Sequence, residues 1–214
     1  VSHPGVRKHE AIYPAVHVLR SEDVAAAASL HARSFARFFL TSLGERFLRE
    51  FYRAFVEDPA AVTVVARDPA GGLVGVVVGT VVPDQFFRRM LCRQLGPLMV
   101  ASLLAGFRHP RAVVRLLRGL GYRGGVPIRA RGALLSSICV DPVVEASGVG
   151  RRLLEAWWSA VQARGVTDAY LTTDAEGNNR VNRFYQRAGW NLLGSYRVAG
   201  GRRMNCYGIS APPG

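Results

Sequence analysis

The chain has 214 residues, 49% of them hydrophobic and 20% charged, and a formal net charge of +13. That balance describes a globular domain with a buried core, excludes an intrinsically disordered chain, and leaves no apolar run of the roughly 18 to 20 residues a membrane-spanning helix needs. The excess of base favours anionic partners such as nucleotides, nucleic acid or anionic lipid, and works against polycationic substrates.

Lys8 is the single lysine among the 28 basic residues, so the charge is carried by arginine, and it informs function mainly where arginines cluster. Cys92, Cys139 and Cys206 are scattered without metal-ligand spacing, and their odd number suits a reducing, cytoplasmic setting. The stretch Val1 to Glu10 is polar, with His3, Arg7, Lys8 and His9, and is not expected to act as a signal peptide.

In chain order, Ala15 to Arg20 reads as a first strand, and Ser21-Glu22-Asp23 offers helix-capping side chains for a helix from Asp23 to about Ser34. The aromatic stretch Phe35 to Leu40 lacks clean periodicity; Phe35, Phe38 and Phe39 are read as core filling, and His31 as a packing or surface histidine. A second helix from Gly44 to Val56 places Phe47, Leu48, Phe51 and Phe55 on one face. Val62 to Arg67 and Leu73 to Val81 are β-branched strands joined by Asp68-Pro69-Ala70-Gly71-Gly72, a hairpin signal.

Residues 82–130 hold nine arginines against the single acid Asp84. Phe86 to Leu91 and Val113 to Arg118 suggest basic amphipathic helices, broken at Gly96-Pro97 and His109-Pro110, before a glycine-rich return from Gly119 to Pro127. Three roles are open to this segment: a lid over an acceptor carrying phosphates, a surface lying on an anionic membrane, or a homodimer arm.

Ala133 to Val140 is a short apolar strand, and Val149, Leu153, Trp157 and Val161 recur every fourth residue on a helix that Gly165 stops. Between them lies Asp141-Pro142-Val143-Val144-Glu145-Ala146-Ser147-Gly148-Val149-Gly150-Arg151-Arg152, a tight strand-to-helix turn. Free backbone N–H groups and the positive end of the helix dipole converge there, and Gly148 and Gly150 let an anion approach the main chain. Arg151 and Arg152 add full charges beside it. The pattern is a pyrophosphate cradle, yet it is neither a P-loop, lacking Gly-Lys-Ser/Thr, nor a three-glycine dinucleotide fingerprint. Beyond it, Asp168 to Asp174 is a strand, Asn178 to Ala188 a helix stopped by Gly189, and Trp190–Val198 with Arg203–Ser210 a final antiparallel pair.

Val140-Asp141-Pro142 followed by Gly148-Val149-Gly150 resembles the acetyl-CoA loop of the GCN5-related N-acetyltransferase (GNAT) superfamily, in which Val-Asp-Pro precedes Arg/Gln-x-x-Gly-x-Gly/Ala. Here Glu145 stands at the Arg/Gln position and Ala146-Ser147 replace the usual glycine and base. The run Asn178 to Trp190, with Phe184-Tyr185 and Gly189, is similar to the family's later Asn-…-Phe-Tyr-x-x-x-Gly-Phe segment. The resemblance covers about Ala15 to Ser210 but not 82–130. It implies one 1–214 domain with that insertion, and a mixed, mostly antiparallel twisted α+β sheet flanked by helices.

The resemblance also implies roles. The fourth and fifth strands, Ala133–Val140 and Asp168–Asp174, would splay so that pantetheine pairs with a backbone edge, with an N–H near Ile138, Cys139 or Val140 donating to the acetyl oxygen. Ser147, Gly148, Val149, Gly150, Arg151 and Arg152 would hold the diphosphate of acetyl-CoA, and Asn178 the pantetheine arm or an ordered water, with Asn179 and Asn182 as alternates. Tyr185 is the expected general acid toward the departing thiolate. Many relatives carry a base as Glu on the fourth strand, but Ala133 to Val140 contains no acid. Asp174 is then the best carboxylate, ahead of Glu176 and His31, with Asp141 holding the turn, and direct attack by an already neutral amine also stands. Cys139 lacks a paired base and is not expected to carry an acyl group. No metal is implied.

The expected reaction is acetyl transfer from acetyl-CoA to the amine of a small molecule, and the arginine-rich insertion suits an anionic acceptor such as a nucleotide-linked amino sugar. A protein N-terminal or lysine acetyltransferase is the enzymatic alternative, and a non-catalytic acyl-CoA-binding or membrane-surface module the alternative of another class. Nucleic-acid binding is disfavoured because the basic helices show no groove-reading motif.

Overall fold

In a computed structural model of the chain, which describes residues 15–35, 41, 43–90, 93, 128, 130–144, 148–198 and 201–212, the two β-branched runs form an antiparallel hairpin, β2 (Ala61–Arg67) and β3 (Leu73–Thr80). Asp68 closes its turn, accepting the Gly71 N–H at its carbonyl and the Gly72 N–H at Oδ1, at 2.9 and 2.7 Å. With β1 (Ala15–His17), β4 (Ala133–Val140), β5 (Asp168–Asp174), β6 (Asn191–Arg197) and β7 (Arg203–Ser210), they build one seven-stranded sheet ordered β1-β2-β3-β4-β5-β7-β6. Every neighbouring pair is antiparallel except β4 and β5.

Helices cover both faces. Helices α1 (Val24–Ser34) and α2 (Glu45–Glu57) bury Leu30, Leu48, Tyr52 and Phe55 against Val65, Val76 and Val78 on one side. Helix α3 (Val149–Gln162) buries Leu153, Trp157 and Val161 against Val62 and Val77 on the other, and α4 (Asn179–Arg187) adds Tyr185 to that second core. Trp157 is fully enclosed and donates its indole N–H to the Val62 carbonyl at 3.1 Å. It seats against Gly79, where a Cβ would lie 2.5 Å from the indole ring and 2.4 Å from the Leu134 carbonyl oxygen. Glycine is therefore a packing requirement there, as close approach of helix to strand leaves no room for a side chain.

Two expectations need correction. The first strand stops at His17 rather than Arg20, because the chain turns into a short 3-10 segment, Ser21–Asp23. Asp23 does not cap α1; its carboxylate accepts the Arg20 N–H at 3.0 Å and pairs with Arg67 of β2, tying the helix entry to the sheet.

Within the 82–130 insertion, residues 83–90 are helical. Phe86 is fully buried, its ring 4.5 Å from that of Phe55, and Arg89 makes two bonds to Asp58, at 2.6 and 2.8 Å. The start of the insertion is thus part of the first core. Val113 to Arg118, Cys92, Phe38 and Phe39 lie outside the described residues.

Candidate functional site

The sheet parts at its middle. β4 and β5 run side by side for only two residue pairs, Ala133 with Ala169 and Leu134 with Tyr170. Beyond them the two strands border a cavity of about 940 Å³, whose lining comes from both faces of the sheet. On the α3–α4 side the walls include Ile138, Val140, Leu171, Phe184 and Tyr185; on the α1 side they include His31, Cys139, Thr172, Asp174 and Arg202.

β4 reaches both compartments because of a bulge. Val78 pairs with Ser137 and Gly79 with Leu135, so Ser136 has no partner residue on β3. An extra residue in one strand reverses which side each later side chain faces. Ala133 and Leu135 therefore join the α3 core, whereas past the bulge it is Ile138 and Val140 that face α3 and Cys139 that joins the α1–α2 core. The Ser136 hydroxyl is buried without a hydrogen-bond partner and borders the cavity. A buried orphan hydroxyl costs free energy unless a ligand or water satisfies it, which is the expected state of a site built for an incoming polar group.

The turn into α3 has the predicted geometry where it is described. Gly148 sits at φ 82°, in the left-handed region that glycine enters without strain, and borders the cavity with Gly150 and Arg151. The first ladder bond of α3 runs from the Arg152 N–H to the Gly148 carbonyl at 3.1 Å. The N–H groups of Val149, Gly150 and Arg151 therefore have no partner within the helix and are left for an anion at the positive end of its dipole. Arg152 spends its amide in the helix and its side chain does not line the cavity. The Val149 side chain is buried in the core, leaving only its amide. Ser147 and Glu145 lie outside the described residues.

Asp141 holds the turn as expected. It accepts the Val143 N–H and an Arg33 N–H, each at 3.0 Å, and these contacts, the backbone donor first, keep its carboxyl below the usual carboxylate range. Ser34 donates to the Val140 carbonyl at 3.0 Å, so α1 grips the end of β4 at two points.

Of the catalytic candidates, Tyr185 is buried, borders the cavity, and stacks among Phe184, Trp190 and Tyr207. Burial pushes its phenol above its ordinary pKa, so it is protonated at neutral pH, and no described residue bonds its hydroxyl. Asp174 also borders the cavity and is ion-paired with Arg202 through Nε. Asn178 uses its side-chain amide on Thr173 Oγ1 at 2.8 Å and still borders the cavity. Asn182, an alternate for its role, is fully engaged in structure: its amide donates to the Asp174 and Asn178 carbonyls, and its oxygen accepts from Asn205 and the Tyr207 hydroxyl, at 2.8 to 2.9 Å.

The α1 side holds a chain of groups the sequence did not reveal. His31 Nδ1 lies 3.0 Å from the Tyr52 hydroxyl, which lies 3.5 Å from Cys139 Sγ. Burial lowers the His31 pKa to about 4 and pushes the Cys139 thiol up to about 12. A thiol so reluctant to ionise is no acyl carrier. The periodicity of α2 marked Phe47, Phe51 and Phe55 but passed over Tyr52, whose role shows only once α1, α2 and β4 are brought together.

No group of three or more metal-ligating side chains occurs among the described residues, and no described helix is long and apolar enough to cross a membrane. No curated protein matches the chain by sequence. Among solved structures, SsHAT superposes with a TM-score of 0.67 at 24% identity, covering 94% of this chain and 100% of its own. A histone acetyltransferase HPA2 and related acetyltransferase from Corynebacterium glutamicum gives 0.60 at 18%, covering 94% and 99%. Naa20 from Chaetomium thermophilum, solved with a bisubstrate analogue, gives 0.57 at 16%, covering 92% and 86%. At these identities the likeness speaks for the fold. The family model for Acetyltransferase (GNAT) matches residues 25–190. The chain belongs to the GNAT acetyltransferase family and is an acetyl-CoA-dependent N-acetyltransferase.

Proposed function

We propose that the chain acetylates the primary amine of a small molecule that also carries negative charge, by direct attack in a ternary complex. The observation that carries this reading is the Asp174–Arg202 pair on the acceptor side of the cavity. Arg202 gives Nε to Asp174, and no described residue bonds its two Nη groups. A carboxylate beside a guanidinium with free donors matches a molecule bearing an ammonium next to a carboxylate or phosphate.

Acetyl-CoA suits the other half of the cavity. The free amides of Val149, Gly150 and Arg151 suit its diphosphate, the unpaired edge of β4 from Ser136 to Val140 its pantetheine, and the Ser136 hydroxyl one of its carbonyl groups. Bound there, it supplies an activated acetyl thioester. Tyr185 donates its phenolic proton to the departing sulfur as the C–S bond breaks and the N–C bond forms. Asp174 receives the proton the amine loses, directly or through a water, and Arg202 holds the acceptor's anionic group. The free buried thiols of Cys139 and Cys206 are in keeping with a cytoplasmic setting.

The test is thiol release from acetyl-CoA across a panel of amines: α-amino acids, amino-sugar phosphates, neutral amines, polyamines, and peptides with free N-termini or lysines. Turnover confined to amines carrying a carboxylate or phosphate is expected. Efficient acetylation of peptides or polyamines alone would sink the proposal.

A further inference from the structure

We infer that the Ser136 side chain donates a hydrogen bond to the thioester carbonyl oxygen of acetyl-CoA, which makes it a catalytic residue. This rests on the reading of the cavity as the acyl-CoA site and names the carbonyl that the hydroxyl serves. Ser136 pairs with no residue of β3, because of the bulge, and with none of β5, because those strands part after Leu134. Its hydroxyl is buried, has no hydrogen-bond partner among the described residues, and belongs to a residue that borders the cavity. An orphan hydroxyl is a standing cost to the free protein, so holding the strand in place does not account for it.

Which carbonyl it meets follows from the order of groups along β4. The diphosphate suits the amides of Val149, Gly150 and Arg151, past the turn that leaves Val140. From Val140 back to Ser136 the strand spans about 13 Å at the rise of extended backbone, comparable to the reach of a pantetheine arm. Along that arm the amide carbonyls come first and the thioester carbonyl last. The last carbonyl thus arrives at the narrow end of the fork, beside Ser136 and just short of the closed Leu134–Tyr170 pair. There β4 also passes from one compartment to the other, so an acceptor on the α1 side can reach the same carbon.

As the amine nitrogen adds to that carbon, the C=O electron pair moves onto oxygen, and a hydroxyl aimed there offsets the growing charge. The pair returns as the C–S bond breaks; the sulfur takes the Tyr185 proton and the nitrogen gives one to Asp174. Ser136 transfers no proton and ends the cycle unchanged.

Titration calorimetry of the full chain with acetyl-CoA and with S-ethyl-CoA, in which a methylene replaces the carbonyl, tests this. The unmodified protein should bind acetyl-CoA about fivefold more tightly, the worth of one neutral hydrogen bond. Ser136→Ala should bind S-ethyl-CoA as the unmodified protein does, and acetyl-CoA no better. Freed of an orphan hydroxyl, the variant should unfold at an equal or higher urea concentration. With the panel amine that turns over fastest, its kcat should fall about a hundredfold, far beyond the loss in binding. Equal affinity of the unmodified protein for both ligands, a preference undiminished in the variant, or an unchanged kcat overturns the inference while leaving the acyl-CoA site standing. So does a variant that binds both ligands weakly, whose lost hydroxyl then served a pantetheine amide, or one that unfolds more easily, whose lost hydroxyl then held the strand. Failure of the unmodified protein to bind either ligand removes the acyl-CoA site itself and this inference with it.

Discussion

His31 makes the stability of this fold depend on pH in a calculable way. Its ring is 3% exposed, wedged among Phe35, Phe51 and Tyr52, and its pKa is lowered from 6.5 to about 4 by burial. A histidine whose folded pKa lies below its unfolded value stays neutral in the fold while the unfolded chain takes up a proton. Stability from this group is therefore full above about pH 6.5 and is lost progressively as the pH falls to about 4. The whole span corresponds to about 3 kcal/mol, and at pH 5 about 2 kcal/mol is already gone. Urea unfolding between pH 7.5 and 5 measures the slope. His31→Phe, which keeps a ring in the same pocket, should be flatter over that range by about 2 kcal/mol, whatever its absolute stability. Carboxylate titrations common to both proteins cancel in the comparison. Identical slopes, or a His31 ring that titrates near its ordinary value by NMR, would refute the reasoning.

If Tyr185 is the general acid, Tyr185→Phe lowers kcat on the order of a hundredfold or more in a thiol-release assay. CoA affinity by calorimetry stays near that of the unmodified protein. Asp174→Asn leaves Arg202 without its carboxylate, so kcat should fall while an anionic acceptor binds as well or better; an unchanged kcat would remove Asp174 from the reaction. Gly79→Ala forces a Cβ against Trp157 and the Leu134 carbonyl, costing about 1 to 3 kcal/mol in denaturant unfolding. Asn182→Leu strands the Tyr207 hydroxyl and the Asn205 amide, and should cost about 2 kcal/mol or more. An unperturbed midpoint would show that water replaces the lost bonds.

Periodicity and turn chemistry carried most of the fold. The strands at Ala133–Val140, Asp168–Asp174 and Arg203–Ser210 begin and end where alternation and glycine breaks place them. The helix after the glycine turn buries the stripe its spacing marks out. The turn itself was legible because its function depends on main-chain freedom, which two glycines announce. What stayed hidden depends on pairs remote in sequence. Arg202 meets Asp174 across 28 residues, and Tyr52 meets Cys139 across 87. No local pattern encodes either meeting. Asp23 read as a helix cap because capping residues are judged by position, whereas its carboxylate turned toward Arg67, 44 residues away. The sequence placed Asn178 first with Asn179 and Asn182 as alternates, and the four hydrogen bonds that occupy Asn182, made to residues up to 25 positions away, were beyond its reach.

The unpaired Ser136 gives β4 a change of phase in mid-strand. With residue 136 deleted, Ile138 and Val140 would swing toward α1 and Cys139 toward α3, so neither half of the interior would meet its intended surface. One surplus amino acid thus lets a single ribbon of backbone serve as the floor of one chamber and the ceiling of another. Sequence drift can alter what lines either chamber, but not the residue count between Leu135 and Ser137.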